Sequence, residues 1–122
     1  MVEIFGSRDC GNSPKNKFIE KIGIALEVGD PEFFGEVLSE GVVWELDDGS
    51  VAEGEYISRR IKQIKNGITS INIDHVTSHG KVGSINGYVR DRKGKKTHFC
   101  HVIEFTSVKC SKINRVCSYG KS

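Results

Sequence analysis

The sequence predicts a single α+β domain, in which three N-terminal helices pack on a curved, mainly antiparallel sheet and enclose a pocket. Three observations lead to this fold class. Helical periodicity is confined to the first half of the chain, strand-like sequence fills the part after Gly67, and short turns separate those strands. A length of 122 residues suits one domain with its own core. We expect that domain over residues 13–120.

The first helix carries the clearest signals. Ser13 is a good N-cap, Pro14 suits the first helical position, and Gly29 is a typical C-terminal stop. Apolar residues recur between these ends with helical spacing, which predicts one buried face. That stripe consists of Phe18, Ile19, Ile22, Ala25 and Leu26.

Two shorter helices are predicted after it. Asp30-Pro31 repeats the start signal, so a short helix is expected over about 31–38. Gly54 leads into a third helix that Gly67 closes. Its buried face is predicted from the spacing of Ile57, Ile61 and Ile64.

Strands make up the rest of the prediction. A first strand is expected over 41–46, with a brief return strand over 51–53 after the turn at 47–50. Residues 1–12 are treated as an N-terminal extension that is either a short strand or a loose, flexible segment. Four long strands follow the third helix, over 68–78, 82–91, 96–107 and 112–119, with turns at 79–81 and 93–95.

Composition and charge argue against several classes of partner. The net charge of +2 is too small to indicate nucleic acid or an anionic membrane. The densest basic run, 90–96, is typical of a solvated turn at the tip of a hairpin. No stretch has the length of a membrane span, and the N-terminus lacks the pattern of a signal peptide, so we expect a cytoplasmic protein.

The cysteines and histidines give no metal signature. Cys10, Cys100, Cys110 and Cys117 match no zinc spacing and no disulfide framework, so we expect free thiols, some of them in the core. His98 and His101 are three residues apart on one predicted strand and therefore point to opposite faces. We expect neither a metal nor another cofactor.

Strand parity selects the candidate residues of the pocket. In the third long strand, Phe99, His101 and Phe105 share the more apolar face, which should face the helices. The same reasoning places His75 on the inward face of its strand, and Gly87 could mark a bend in the sheet.

The order of these elements resembles the nuclear-transport-factor-2-like (SnoaL-like) superfamily, and small bacterial members in particular. The resemblance rests on four stretches, in the order and spacing of that group, and spans about 13–120. They are Gly41-Val-Val-Trp44 with Glu53-Gly54, residues 77–87, residues 99–105, and Lys112-Ile113 with Ser118-Tyr119.

The resemblance implies a cone-shaped, cystatin-like roll that often forms a homodimer through its sheet. The superfamily includes isomerases, dehydratases, epoxide hydrolases and cyclases as well as binding modules without catalysis, so the fold alone leaves function open.

The small bacterial relatives commonly carry an aspartate at the position of His101. A histidine there argues against direct transfer of a carboxylate mechanism, although it could still move protons near neutral pH.

Three functions follow as hypotheses. The first is a small-molecule-binding domain of unknown specificity, with an apolar pocket around a central histidine. The second is a proton-transfer enzyme with His101 as its base and Glu53 or Tyr56 as the orienting group, although Glu53 could instead cap the third helix. The third is a dimerising module whose cavity is only core. The predicted ligand-binding residues are Trp44, Glu53, Tyr56, His75, Phe99, Phe105 and Tyr119.

Overall fold

The computed structural model describes residues 2–9, 13–35, 37–64 and 67–120. Over these ranges the chain forms one seven-stranded sheet, two α-helices and a 3-10 turn at Phe33–Gly35. The helices are α1 (Pro14–Val28) and α2 (Glu55–Lys62). The strands are β1 (Glu3–Phe5), β2 (Leu38–Leu46), β3 (Val51–Glu53), β4 (Ile68–His79), β5 (Val82–Asp91), β6 (Lys96–Phe105) and β7 (Ile113–Tyr119).

The strands lie in the order β1-β4-β5-β6-β7-β2-β3. The β1–β4 and β2–β7 pairs are parallel and all other pairs are antiparallel. The α+β class and the predominantly antiparallel sheet are as predicted. Residues 3–5 add a strand at the sheet edge, which is one of the two alternatives expected for the N-terminal extension.

Helix α1 begins and ends at the predicted residues. The Ser13 hydroxyl accepts a hydrogen bond from the Asn16 backbone N–H, and Gly29 takes a left-handed conformation with φ of 75°. The helix lies against β4 and β5. Gly23 lets it approach closely, because a Cβ at that position would be 2.5 Å from the Cδ1 atom of Ile85.

The short helix predicted over 31–38 is present only as the 3-10 turn at Phe33–Gly35, so the count of three helices is not confirmed. Asp30 Oδ1 accepts from the Phe33 backbone N–H, but only one 3-10 turn follows. The chain enters β2 at Leu38, and the Val37 carbonyl already accepts a hydrogen bond of 2.7 Å from the Ile113 backbone N–H. Pairing with the sheet therefore takes the residues that would have continued the helix.

The third predicted helix is present as α2 but is shorter than expected. It starts after Gly54 and ends at Lys62, with Gln63 as its C-cap. Ile57 and Ile61 are buried as predicted. Residues 65–66, which the predicted helix included, lie outside the described residues, as does Cys10.

One hydrophobic core fills the space between the helices and the inner face of the sheet. Isoleucine and phenylalanine dominate it, with Ile19, Ile22, Ile71, Ile103 and Phe105 all fully buried. Cys100, Cys110 and Cys117 are free thiols, and Cys110 is buried among the core residues. None of the described helices is long and apolar enough to cross a membrane.

Candidate functional site

His101 lies on the inner face of β6 with a side chain that is only 1% exposed. Its Nε2 atom is 2.6 Å from Oε2 of Glu27, on α1. Its Nδ1 atom is 2.6 Å from the hydroxyl of Ser118, on β7. Both ring nitrogens are therefore occupied by polar partners that come from two other elements of the fold.

Trp44 extends this arrangement to a fourth element. Its indole N–H, on β2, donates a hydrogen bond of 2.8 Å to the Ser118 hydroxyl. Glu27, His101, Ser118 and Trp44 thus form a continuous hydrogen-bonded series, which we call the interior polar chain. Glu27 and Ser118 are each 1% exposed and Trp44 is 5% exposed, so all four members of the interior polar chain lie inside the core.

The donors of the interior polar chain fit together in one direction. Trp44 can only donate, so it uses one lone pair of the Ser118 oxygen. The Ser118 hydroxyl proton then finds its acceptor in Nδ1 of His101, which leaves the His101 proton on Nε2, where it donates to the Glu27 carboxylate. In this arrangement all three donors are used.

One aromatic ring flanks the histidine, and a second lies farther along the same strand. The Phe99 ring lies 5.3 Å from the His101 ring, centroid to centroid. Phe105 is completely buried, and its ring is stacked at 6.0 Å on Phe18 of α1. Of the residues predicted from the sequence, Trp44, Phe99, His101 and Phe105 therefore share the interior.

The other four predicted residues lie at the surface. Tyr56 is 59% exposed and Tyr119 is 47% exposed, and Glu53 is also exposed. The expected pairing of Glu53 with His101 is wrong, because Glu27 and Ser118 take both ring nitrogens. Helix α2 begins at Gly54 without a side-chain capping bond, so no capping bond from Glu53 is seen there either.

His75 also faces outward, which makes its predicted inward orientation wrong. The register between β4 and β5 shifts between Ile73 and His75, so that Val76 instead of His75 occupies the next inward position. A bulge of this kind reverses the parity of all residues beyond it. The His75 Nδ1 atom lies 3.1 Å from Oδ2 of Asp9 at the surface.

A second bulge explains why Ser118 lies inside and Tyr119 outside. In the pairing of β6 with β7, Glu104 is opposite Arg115 and Phe105 is opposite Ile113, so Asn114 is an extra residue. Beyond it Val116 and Ser118 face inward.

Two groups of the interior polar chain were missed from the sequence, and Glu27 carried a usable signal. It continues the helical row of Ile19 and Gly23 at a spacing of four, and both of those residues are buried. A carboxylate in such a row is a candidate for a buried partner. Ser118 carried no comparable signal, because its orientation depends on the bulge.

The pocket predicted around His101 is closed in the described structure, and grooves at the described surface lie elsewhere. One groove, of about 570 Å³, is lined by β2, β3 and the start of α2 and includes Glu40, Glu53, Glu55 and Tyr56. A second, of about 390 Å³, lies between β3 and α2 beside Arg60. No three metal-binding side chains cluster among the described residues.

Comparisons of the sequence find no relative: no family model matches, and no curated protein matches. Comparisons of the structure do. An NTF2-like protein of unknown function from Mesorhizobium loti is 16% identical, with 99% of this chain and 100% of that chain covered and a TM-score of 0.70. A SnoaL-like family protein from Agrobacterium tumefaciens strain C58 is 13% identical, with coverages of 88% and 98% and a TM-score of 0.71.

An LEH-like epoxide hydrolase from M. tuberculosis is also similar, at 14% identity, with 88% of this chain and 82% of that chain covered and a TM-score of 0.66. At such identities the similarity concerns the fold and carries no residue roles. The chain has the NTF2-like fold, and its structural neighbours are NTF2-like and SnoaL-like proteins.

Proposed function

We propose that this chain is a small-molecule-binding domain that holds an apolar ligand with one polar group beside His101. The observation that carries the proposal is the interior polar chain at the centre of an otherwise apolar core. Its aromatic neighbours supply the apolar contact surface that a ligand of this kind needs.

The energetic cost of the polar chain supports a functional role. Burying a polar group without a good partner costs roughly 1–3 kcal/mol, and a buried charge costs more. A core of the same shape could be built from apolar residues, often with equal or greater stability. A carboxylate, an imidazole and a hydroxyl kept together in the interior are therefore better explained by a task than by stability.

In the structure described here the side chain of His101 is closed to solvent. Binding therefore requires a ligand to displace neighbouring side chains and to take over one of the two hydrogen bonds of the imidazole. The Ser118 bond is the better candidate for exchange, because a hydroxyl binds an imidazole less strongly than a carboxyl group does.

Ligand-induced stabilisation tests the proposal. A panel of steroid-like and polyketide-like compounds is screened by the shift in Tm, and hits are checked by the ¹⁵N resonances of the His101 ring. We expect a hit to move those resonances and to bind at least about tenfold more weakly to His101→Gln, the loss expected for one good hydrogen bond. His79→Gln is the matched control, because His79 is exposed at the end of β4.

Two outcomes would contradict the proposal. One is a panel in which no compound moves the His101 resonances. The other is a hit whose affinity for His101→Gln equals its affinity for the unaltered chain. If His101→Gln does not fold, Ser118→Ala provides the test: it removes the hydroxyl that the ligand is proposed to displace from His101, so a hit should bind this variant at least as tightly as the unaltered chain, and weaker binding would contradict the proposal.

A second candidate is a proton-transfer enzyme, favoured by the 2.6 Å contact of Glu27 with His101. A carboxylate that orients a histidine and fixes its tautomer is the usual support of a histidine base. With a keto-steroid or an epoxide as substrate, Glu27→Gln should lower kcat by about 10²-fold or more while leaving ligand affinity unchanged. Binding without turnover by the unaltered chain would leave only the first proposal.

We also propose that the chain forms a homodimer through the outer face of its sheet. Tyr88 on β5 and His98 on β6 pack edge to face there, with ring centroids 5.9 Å apart. Sedimentation of the full chain should give a dimer, and Tyr88→Glu should shift it to the monomer. A monomer at all accessible concentrations would contradict this proposal.

A further inference from the structure

A second site lies at the surface, in the groove between β3 and α2. The groove has a volume of about 390 Å³ and is lined by Val51, Ala52, Tyr56, Arg59, Arg60 and Gln63. It joins an apolar floor to two guanidinium groups and one amide, whereas none of its lining residues is acidic. From this lining we propose that the groove binds a small amphipathic carboxylate.

The two arginines are held in place by aromatic rings. The Arg60 guanidinium lies over the Trp44 ring, 5.3 Å from its centroid, and the Arg59 guanidinium lies over the Tyr56 ring at 5.2 Å. A guanidinium that stacks through its face keeps its edge of N–H groups available for hydrogen bonds. The half-buried Arg60 side chain therefore loses less freedom than an exposed arginine does when an anion binds.

Arg60 also has an unused donor. Its Nη1 atom is buried, yet within the described parts of the chain it has no hydrogen-bond partner. Buried donors are nearly always satisfied, so an exception indicates a missing acceptor such as an ion, a water molecule or a ligand. The Arg60 side chain as a whole is half-buried, so a shift of its guanidinium toward the groove would bring this atom to a carboxylate oxygen, whose charge the guanidinium would balance.

The neighbouring carboxylates do not block this role. Glu55 contacts Arg59 at 3.9 Å, but both side chains are largely exposed, and such pairs contribute little. Asp48 is committed to its own turn, where its Oδ1 atom accepts from the Ser50 backbone N–H at 2.8 Å. The pKa of Asp48 is lowered mainly by that backbone hydrogen bond, and the charge of Arg60 is a smaller cause.

The apolar floor indicates the rest of the ligand. Val51 is 49% exposed on β3, and together with the exposed ring of Tyr56 it forms a surface suited to an alkyl or aryl group. Inorganic phosphate would accept hydrogen bonds from the arginines but would leave the apolar surface in contact with water. A neutral apolar molecule would cover that surface but would leave the Arg60 donor without an acceptor. A carboxylate with a short apolar body fits both halves of the groove.

Trp44 provides the measurement, because it is the only tryptophan in the sequence and lies directly under Arg60. The full chain is titrated with octanoate, octanamide or inorganic phosphate while Trp44 fluorescence is recorded. We expect a saturable change with octanoate, with affinities for octanamide and phosphate that are each at least about tenfold weaker, the value of one charge-assisted or apolar contact.

Variants locate the site. Arg60→Gln should weaken octanoate binding about tenfold or more, through the loss of one charged donor. Arg90→Gln is the matched control, since Arg90 also stacks on an aromatic ring, 5.4 Å from the centroid of Tyr88, but lies on another part of the sheet. If Arg60→Gln does not fold, Arg59→Gln carries the same test.

Three outcomes would overturn the proposal. Octanoate could leave Trp44 fluorescence unchanged, or octanamide or phosphate could bind as tightly as octanoate. The third is an arginine variant that binds octanoate as well as the unaltered chain does. This proposal stands apart from the proposal for His101, because His101→Gln removes no lining residue of the groove. Unchanged octanoate binding by His101→Gln would support the separate site, whereas equal loss in both variants would overturn it.

Discussion

Glu27 and His101 are 74 residues apart in the chain, yet an Oε2–Nε2 hydrogen bond of 2.6 Å joins them in the core. Each side chain is 1% exposed, so if one partner is removed, solvent does not reach the other to take its place. The bond links α1 to β6, and Ser118 and Trp44 continue the link to β7 and β2. It therefore connects the first helix to the middle of the sheet.

Glu27→Ala should destabilise the fold strongly. It leaves the His101 Nε2–H without its acceptor, which costs about 1–3 kcal/mol, and it opens a small cavity that adds to this cost. Chemical denaturation followed by circular dichroism measures the free energy of unfolding. Glu55→Ala is the control, because its contact with Arg59 is exposed and contributes about 0–1 kcal/mol. Equal losses in the two variants would show that the buried bond contributes nothing special.

Ser118 and Trp44 should be energetically coupled. Ser118→Ala leaves both the Trp44 N–H and His101 Nδ1 without a partner, at a cost of about 1–3 kcal/mol. Once Ser118 is alanine, Trp44→Phe removes a donor that already has no acceptor, so its own cost falls. A double-mutant cycle measured by far-ultraviolet circular dichroism should give a coupling of about 0.5–3 kcal/mol. Additive losses in free energy of unfolding would mean that Ser118 and Trp44 are not coupled within the interior polar chain.

The fold class could be predicted because it depends on local patterns that the sequence contains. Caps at Ser13 and Gly29 and the alternation along β6 are properties of neighbouring residues, so they placed α1 and His101 correctly. The polar chain depends on contacts between distant residues. Only the helical row of Ile19, Gly23 and Glu27, at a spacing of four, indicates one of these contacts.

The wrong orientations have a common physical cause. Parity counting assumes an unbroken ladder, but β4 has a bulge before His75 and β7 has one at Asn114. Each extra residue turns the rest of its strand over, which puts His75 and Tyr119 outside and Ser118 inside. In β7 the sequence carries a signal, because Arg115 falls on the same parity as Ile113 and Tyr119, which indicates that a bulge could re-aim part of the strand. Nothing in the local composition of β4 indicates its extra residue, because the mismatch exists only relative to the partner strand.

Gly87 should be intolerant of any side chain. A Cβ at this position would be 1.9 Å from the Asn72 carbonyl oxygen, a backbone atom of β4 that cannot move without breaking the pairing with β5. We expect Gly87→Ala to cost at least about 2 kcal/mol, the range of strained backbone contacts. Urea unfolding provides the measurement.

Gly41→Ala is the matched control for this substitution. Gly41 also lies in a strand, but a Cβ there meets nothing within 4 Å, and its φ is not positive. The change should leave stability within about 1 kcal/mol, because only backbone entropy is affected. If Gly87→Ala were equally mild, the close approach of β4 and β5 at that position would be contradicted.

Asp9 should make the attachment of the N-terminal segment sensitive to acid. Its Oδ2 atom accepts from the Val76 backbone N–H at 3.0 Å and lies 3.1 Å from His75 Nδ1. The backbone hydrogen bond is the main cause that lowers the pKa of Asp9, and the His75 contact adds to it. A carboxyl whose pKa is lower in the folded state stabilises that state above its unfolded pKa, near 3.9.

That contribution is lost as the pH falls through the lowered folded pKa. Asp9→Asn should therefore be less stable than the unaltered chain at pH 6, and the difference should shrink as the pH is reduced below about 4, where the unaltered carboxyl becomes protonated too. Urea unfolding at a series of pH values measures the difference. Asp74→Asn is the control on β4, because the Asp74 side chain bonds only the Asn72 amide in the described structure. A difference that grows toward low pH would contradict the sign of the effect, since the bond to Val76 is made by the charged form of Asp9.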